Sequence, residues 1–140
     1  MFTDAFKKYS DFGPVFLRFS LGIVFLVHGV GKLLNVGPAA GGIAGTAGFF
    51  ASIGIPAALF FAWVVALVEA FGGLFLLIGF WTRLSALLLA INMLIAFLLV
   101  HISNGFNVAK GGFEFVFVLF FGSLALLVRG AGKKWAVDKD

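Results

Sequence analysis

One segment of the chain, Arg18–Leu34, is apolar and long enough to cross a bilayer, yet it carries Arg18, His28 and Lys32. A spanning helix needs about 17–25 predominantly apolar residues. An ionisable group inside such a helix costs roughly 2.5–3.5 kcal/mol on insertion scales, so it normally faces protein or trapped water. We therefore expect this helix to turn one face into a bundle.

Helical periodicity places the polar residues of this segment on one face. At about 100° per residue, five residues that include Arg18 and Lys32 share a sector of about 80°, and His28 lies about 40° outside it. The five are Arg18, Gly22, Phe25, Gly29 and Lys32. Because the opposite face consists of Leu, Ile, Val and Phe, we predict a polar, glycine-lined inner face and an apolar face towards lipid.

The composition identifies lipid as the solvent of this chain. Of its 140 residues, 62% are hydrophobic and 11% are charged, and the mean hydropathy is +1.15. A typical soluble domain is about 45–50% apolar and about 25% charged. We therefore predict a single integral membrane domain over residues 1–140. The net charge of +4 does not indicate nucleic acid, because the basic residues flank apolar spans and form no patch.

The sequence contains no Cys, which removes disulfides, thiolate nucleophiles, iron–sulfur clusters and covalently attached c-type haem. We also find no metal-spaced cluster, no Ser-His-Asp order and no phosphate loop. Two His on different helices could in principle ligate a b-type haem, but a cavity of small residues around them is not evident. We therefore predict no intrinsic cofactor and no metal site, and redox chemistry would need a bound cofactor or a diffusible carrier.

The hydropathy pattern predicts an all-α membrane fold, a four-transmembrane-helix bundle with a short interfacial helix between helices 1 and 2. The Gly- and Ala-rich residues 35–55 supply the interfacial helix, because they are too few to span and too apolar for an aqueous loop. The first span contains Arg18 and no clean A-x-A site follows it, so we expect a retained helix and not a cleaved signal peptide. The four spans are predicted at about 14–34, 56–79, 83–103 and 113–129.

The basic residues predict the orientation in a bacterial inner (plasma) membrane. Cytoplasmic loops carry an excess of Lys and Arg. With both termini cytoplasmic, only Lys32 and Lys110 lie near the outer side. The basic residues that then lie on the cytoplasmic side are Lys7, Lys8, Arg83, Arg129, Lys133, Lys134 and Lys139.

This orientation brings four ionisable side chains from three helices to one outer layer. They are His28 and Lys32 of the first span, His101 of the third and Glu114 of the fourth. Each also has a simpler interpretation, since Lys32 can snorkel to the interface and His101 and Glu114 can serve the adjoining loop.

Deeper in the membrane, the same orientation places Glu69 and Asn92 near the middle and Arg18 towards the cytoplasmic third, from where its long side chain could reach Glu69. Arg18 and Lys32 balance Glu69 and Glu114, so the interior has zero formal charge, as a low-dielectric bundle demands. Two interpretations stay open: ion pairs that only fix helix register, or a polar pocket that binds a ligand.

If the interior is a binding pocket, Glu69 and His28 are the candidate catalytic residues, because both can exchange protons. The candidate ligand-binding residues are Arg18, Lys32, Asn92, His101 and Glu114.

The order and spacing of these residues over nearly the whole chain resemble the DoxX family. The resemblance implies a small four-helix bacterial inner-membrane protein of a family labelled as oxidoreductases, in which catalytic residues are not well established. Its wider membership includes a small subunit of a thiosulfate:quinone oxidoreductase, proteins linked to catechol and methylhydroquinone resistance, and a membrane partner of superoxide dismutase and a sulfurtransferase. The matching positions are Arg18, Gly22, His28-Gly29, Lys32, Phe49, Gly54-Ile-Pro56, Glu69, Gly72-Gly73, Gly79, Thr82-Arg83, His101, Gly112, Glu114, Gly130-Ala-Gly and Asp138.

Three functions follow as hypotheses. The first is a quinone-interacting oxidoreductase or oxidoreductase subunit, with quinone as a diffusible substrate. The second is a non-catalytic membrane anchor for soluble redox enzymes. The third is a small-solute permease, which in so short a chain would need a homo-oligomer, because transport folds commonly contain two related halves.

Overall fold

The computed structural model describes residues 2–39 and 41–139, and within them the chain is helical with no β-strand. Met1, Ala40 and Asp140, which belong to the predicted domain, lie outside the described residues. The predicted all-α class is confirmed. The helices are α1 (Phe2–Lys7), α2 (Gly13–Leu34), α3 (Gly42–Ser52), α4 (Ala58–Ile78), α5 (Thr82–Ala96) and α6 (Glu114–Arg129).

Three helical stretches of the described chain are long and apolar enough to cross a membrane: Ser10–Leu34, Ala58–Ile78 and Thr82–Asn104. They coincide with the first three predicted spans to within a few residues. The fourth predicted span coincides with α6, which has 16 residues. At about 1.5 Å per residue such a helix is about 24 Å long, less than the ~30 Å hydrocarbon core.

Helix α2 has the two faces that its periodicity predicts. Arg18, Gly22, Phe25 and Gly29 of the polar face are buried, and Lys32 is half-buried. The opposite face is exposed and, apart from Ser20, apolar; it includes Phe16, Phe19, Ile23, Val27 and Leu34.

Glycines hold α2 unusually close to α4. A methyl group added to Gly29 would overlap the backbone of Ala70, and one added to Gly22 would lie 2.9 Å from the carbonyl oxygen of Gly73. The absence of side chains at these positions therefore sets the distance between the two helices. This close approach lets polar side chains of α2 reach α4.

The remaining helices pack around this pair. Helix α3 packs against α4 and α2, α5 packs against α4, and α6 packs against α5 and α2. The helix predicted within residues 35–55 is thus present as α3. The largely aliphatic core that joins α2, α4, α5 and α6 consists of Leu21, Phe25, Leu76, Ala86, Leu89, Met93, Val116, Leu119 and Leu126.

The third predicted span is not one uniform α-helix. Helix α5 ends at Ala96 and continues as a π-helical turn over Phe97–His101, followed by a 3₁₀ turn over Ile102–Asn104. The π turn was not predicted, and it changes the direction of every side chain after it.

The last residues of the chain fold back onto the bundle. Ala131 is fully buried. The backbone N–H of Val137 donates to the carbonyl of Ile78 at 3.2 Å, and that of Asp138 donates to the carbonyl of Gly79 at 2.7 Å. Residues 130–139, which we call the tail, therefore cover the end of the bundle where α4 turns into α5.

Candidate functional site

The centre of the candidate site is the carboxylate of Glu69. Its side chain is only 7% exposed, and its Oε2 accepts a hydrogen bond from Nζ of Lys32, which makes a buried ion pair. Its Oε1 accepts a hydrogen bond of 3.0 Å from Nδ2 of Asn92. Three helices thus contribute one side chain each. The Lys32 charge and the Asn92 amide together compensate the desolvation of the carboxylate.

Two adjoining cavities flank this cluster. The first, which we call the α6-side cavity, has a volume of about 290 Å³ and lies between α2, α5 and α6. The second, the α3-side cavity, has about 520 Å³ and lies between α2, α3, α4 and α5. Residues that line both cavities are His28, Glu69, Met93, Ala96 and His101.

Both His rings contact a backbone carbonyl through the same nitrogen. Nδ1 of His28 lies 2.9 Å from the carbonyl oxygen of Val24, and Nδ1 of His101 lies 2.7 Å from that of Gly111. Because a carbonyl oxygen only accepts hydrogen bonds, each Nδ1 carries the proton in these contacts. Nε2 of a neutral ring is then an acceptor. Each imidazole is therefore oriented by a backbone carbonyl.

The π turn explains how His101 reaches the cavities. In a regular α-helix of about 100° per residue, His101 would lie roughly 180° around the axis from Asn92. The i→i+5 bonding of a π turn accommodates an extra residue and rotates the following side chains. In the structure, Asn92 and His101 both line the α3-side cavity. Residue spacing alone did not indicate this rotation.

Arg18 does not contact Glu69, a contact that the sequence left open. Arg18 is fully buried, and its Nη2 donates to the carbonyls of Trp135 at 2.7 Å and Lys134 at 3.2 Å. The backbone of Glu69 lies beside Gly29, which follows Arg18 by 11 positions. Eleven positions are about 16 Å along a helix, beyond the reach of the Arg18 side chain. The folded tail supplies its partners instead.

Glu114 is also separate from the cluster. Its Oε1 accepts a hydrogen bond of 2.7 Å from the backbone N–H of Val108, so it ties the preceding loop to the start of α6. It does not line either cavity. Of the four ionisable groups predicted to share the outer layer, His28, Lys32 and His101 line a cavity and Glu114 does not.

Of the seven predicted site residues, the structure brings together five. His28, Glu69 and His101 line both cavities, whereas Lys32 and Asn92 line the α3-side cavity. Thr46 of α3 also lines that cavity and was not singled out from the sequence, where it stands alone in a Gly- and Ala-rich stretch. Within the described residues, no group of three or more His, Cys, Asp or Glu is arranged to hold a metal ion.

Comparison with known proteins identifies the family. Residues 13–102 match the family DoxX. The chain belongs to the DoxX family. All five predicted site residues that line the cavities fall within the matched range, while Glu114 and the tail lie beyond it.

Individual relatives of this DoxX protein are similar over most of its length. It is 34% identical over 125 residues to "Putative oxidoreductase CatD" of Bacillus subtilis (strain 168), covering 89% of this chain and 84% of that one. It is 32% identical over 137 residues to "Inner membrane protein YqjF" of Escherichia coli (strain K12), covering 95% of each. No solved structure matches this chain.

Proposed function

We propose that this DoxX protein is a quinone-interacting oxidoreductase, or the membrane subunit of one, in a bacterial inner membrane. The observation that carries the proposal is the buried carboxylate of Glu69, held by Lys32 and Asn92 in the wall of the α3-side cavity and shared with the α6-side cavity. Volumes of about 290 and 520 Å³ are of the size of small-molecule sites, which are about 300–1,000 Å³. The names of the two relatives, an oxidoreductase and an inner membrane protein, support the same class.

In this proposal the site handles protons while electrons pass to or from a partner. Interconversion of a quinol and a quinone moves two electrons and two protons. Glu69 and His28 exchange the protons with the ring oxygens, as positioned general acid–base groups. Lys32 stabilises the negative charge of a quinolate oxygen, because it is a fixed cation in a water-poor site. His101 and Asn92 orient the ring, and a soluble redox enzyme is the electron partner.

The proposed arrangement in the membrane has four crossings, with α3 at the outer interface and both termini in the cytoplasm. The excess of basic residues on the cytoplasmic side supports it. The cavities then lie towards the outer half of the bilayer, and the tail closes the cytoplasmic end. In this proposal Arg18 binds the tail and Glu114 binds the loop before α6, so neither residue contacts the ligand.

Binding of a quinone analogue to the detergent-purified protein tests the proposal. We expect wild type to bind menadione, and Glu69→Gln to weaken binding by about tenfold or more, because a charge-assisted contact contributes about 1.5–3 kcal/mol. Glu114→Gln is the matched control, since it removes a carboxylate that lines neither cavity and makes no contact with Lys32 or Asn92. If wild type neither binds the analogue nor retains quinone on extraction, the proposal fails.

A membrane anchor that performs no chemistry is the second candidate. It is favoured by one observation: the Lys32–Glu69 pair and Asn92 satisfy one another, as a purely structural cluster would. Isolation of the protein from native membranes separates the two functions. An anchor retains its redox-enzyme partners, and cells keep their phenotype, when Glu69 is replaced by Gln.

A further inference from the structure

An apolar groove continues from the α3-side cavity towards the surface of the bundle. It has a volume of about 330 Å³ and lies between α4, α5 and the segment that links α3 to α4. The groove and the cavity share part of their walls, so the two spaces adjoin each other. The shared residues are Phe50, Val65, Asn92, Ala96 and Val100.

The polarity changes from the α3-side cavity to the adjoining groove. The cavity end contains Lys32, Glu69 and the two His rings. The groove end is lined by Ile55, Phe61 and other apolar residues, and its single polar side chain is Asn92, at the junction. Since Asn92 donates to Glu69, its amide is held on the polar side. The space therefore suits a molecule with a polar head and an apolar chain.

The outer wall of the groove lies at the surface of helices that are apolar and long enough to cross a membrane. Ile95 is 48% exposed and Leu99 is 57% exposed, both on the Thr82–Asn104 stretch, and Phe61 on α4 is 40% exposed. Around a spanning helix the surrounding medium is hydrocarbon. A ligand in the groove would therefore be reached sideways from the bilayer, without passing through water.

We propose that this groove holds the hydrocarbon chain of the ligand whose polar ring lies in the α3-side cavity, so that the substrate is a membrane-resident amphiphile with a long chain. This inference rests on the proposed function and adds to it the class of substrate: a lipid-soluble quinone, in place of a small water-soluble phenol or quinone. The chain enters between α4 and α5, and its head then meets Glu69.

The test compares two ligands with the same ring, one without a chain and one with a decyl chain, on wild type and on groove variants. Ile95→Trp fills the groove. Ile91→Trp is the matched control, because Ile91 is one turn earlier on α5, is 46% exposed and does not line the groove. We expect Ile95→Trp to weaken binding of the decyl ligand about tenfold, as an overpacked site does, and to leave the ligand without a chain unaffected. Ile91→Trp should change neither.

Photocrosslinking with a diazirine at the end of the decyl chain adds a direct readout. We expect labelled peptides from α4 around Phe61 and from the π turn around Leu99, and competition by unlabelled decylquinone but not by an equal excess of phospholipid. The inference is overturned if phospholipid competes equally, or if Ile95→Trp does not change the affinity for the decyl ligand. In either case the proposed function still stands if the ligand without a chain binds. If neither ligand binds wild type, the proposed function fails and this inference fails with it.

Discussion

The guanidinium of Arg18 donates a hydrogen bond of 2.7 Å to the carbonyl oxygen of Trp135, across 117 positions of the sequence. Arg18 is fully buried, and an electrostatic attraction also links it to Asp138 of the tail. A buried charge is tolerated only when hydrogen bonds or opposite charges compensate it. The tail is therefore part of the folded bundle, since it supplies that compensation.

The first prediction concerns the attachment of the tail to α5. The carboxylate of Asp138 accepts hydrogen bonds from the backbone N–H groups of Trp81 at 2.9 Å and Thr82 at 2.8 Å, where α5 begins. These donors have no partner within the helix. We expect Asp138→Ala to lower the free energy of unfolding by about 1–2 kcal/mol, as loss of a helix cap does. Thermal unfolding in detergent measures this.

Lys133→Ala is the control for that experiment. Lys133 belongs to the same tail and is exposed, so its replacement should leave the unfolding midpoint nearly unchanged. Equal midpoints for Asp138→Ala and Lys133→Ala would mean that the tail does not hold α5.

The sequence was sufficient to predict which face of α2 is buried and where the first three membrane-length helices lie. These features depend on local periodicity and on the high cost of exposing charge to lipid, and both can be evaluated along one segment. The packing role of the glycines was likewise predictable, because small residues let membrane helices approach closely.

The partner of Arg18 was not predictable in the same way. The tail contains Lys133, Lys134 and Asp138, and such a charged end normally indicates solvated chain. Its contacts with Arg18 come from backbone carbonyls, which every residue possesses, so no residue type signals them. The rotation of His101 escaped prediction for a related reason, since a π turn depends on packing around the helix and has no composition signature of its own.

The second prediction tests the Lys32–Glu69 ion pair. Lys32→Met leaves a buried carboxylate without its counter-charge, and we expect a loss of about 3–5 kcal/mol in the free energy of unfolding. Adding Glu69→Gln removes the uncompensated charge and should restore most of that loss. A double-mutant cycle based on unfolding in detergent measures the coupling.

The control for the ion pair is Lys110→Met, because Lys110 is exposed in the loop before α6. It should leave stability unchanged. If the two side chains do not interact, their losses of stability add, and the double variant is less stable than Lys32→Met by the full cost of Glu69→Gln alone. That outcome would contradict the ion pair.

The third prediction concerns the contact of α2 with α4. Because a methyl group on Gly29 would overlap the backbone of Ala70, Gly29→Ala must push the helices apart. We expect a loss of roughly 1–3 kcal/mol, typical of overpacking, and a weaker Lys32–Glu69 contact. Gly48→Ala in α3 is the matched control, since its new methyl group would meet no atom within 4 Å. Unfolding midpoints of the two variants should differ clearly, and equal midpoints would contradict the close approach.

The fourth prediction concerns α6, which has 16 residues and is the shortest of the proposed crossings. If α6 crosses the membrane, Lys110 and the tail lie on opposite sides. The chain contains no Cys, so single variants Lys110→Cys and Lys139→Cys can be labelled without background. We expect a membrane-impermeant maleimide to label Lys110→Cys in spheroplasts, and to label Lys139→Cys only after the membrane is permeabilised.

The physical reason for this expectation is the excess of Lys and Arg that the tail shares with the N-terminal segment, which favours the cytoplasm. Labelling of both positions without permeabilisation would place the tail outside, which would contradict both the fourth crossing and the packing of the tail on the α4–α5 end of the bundle.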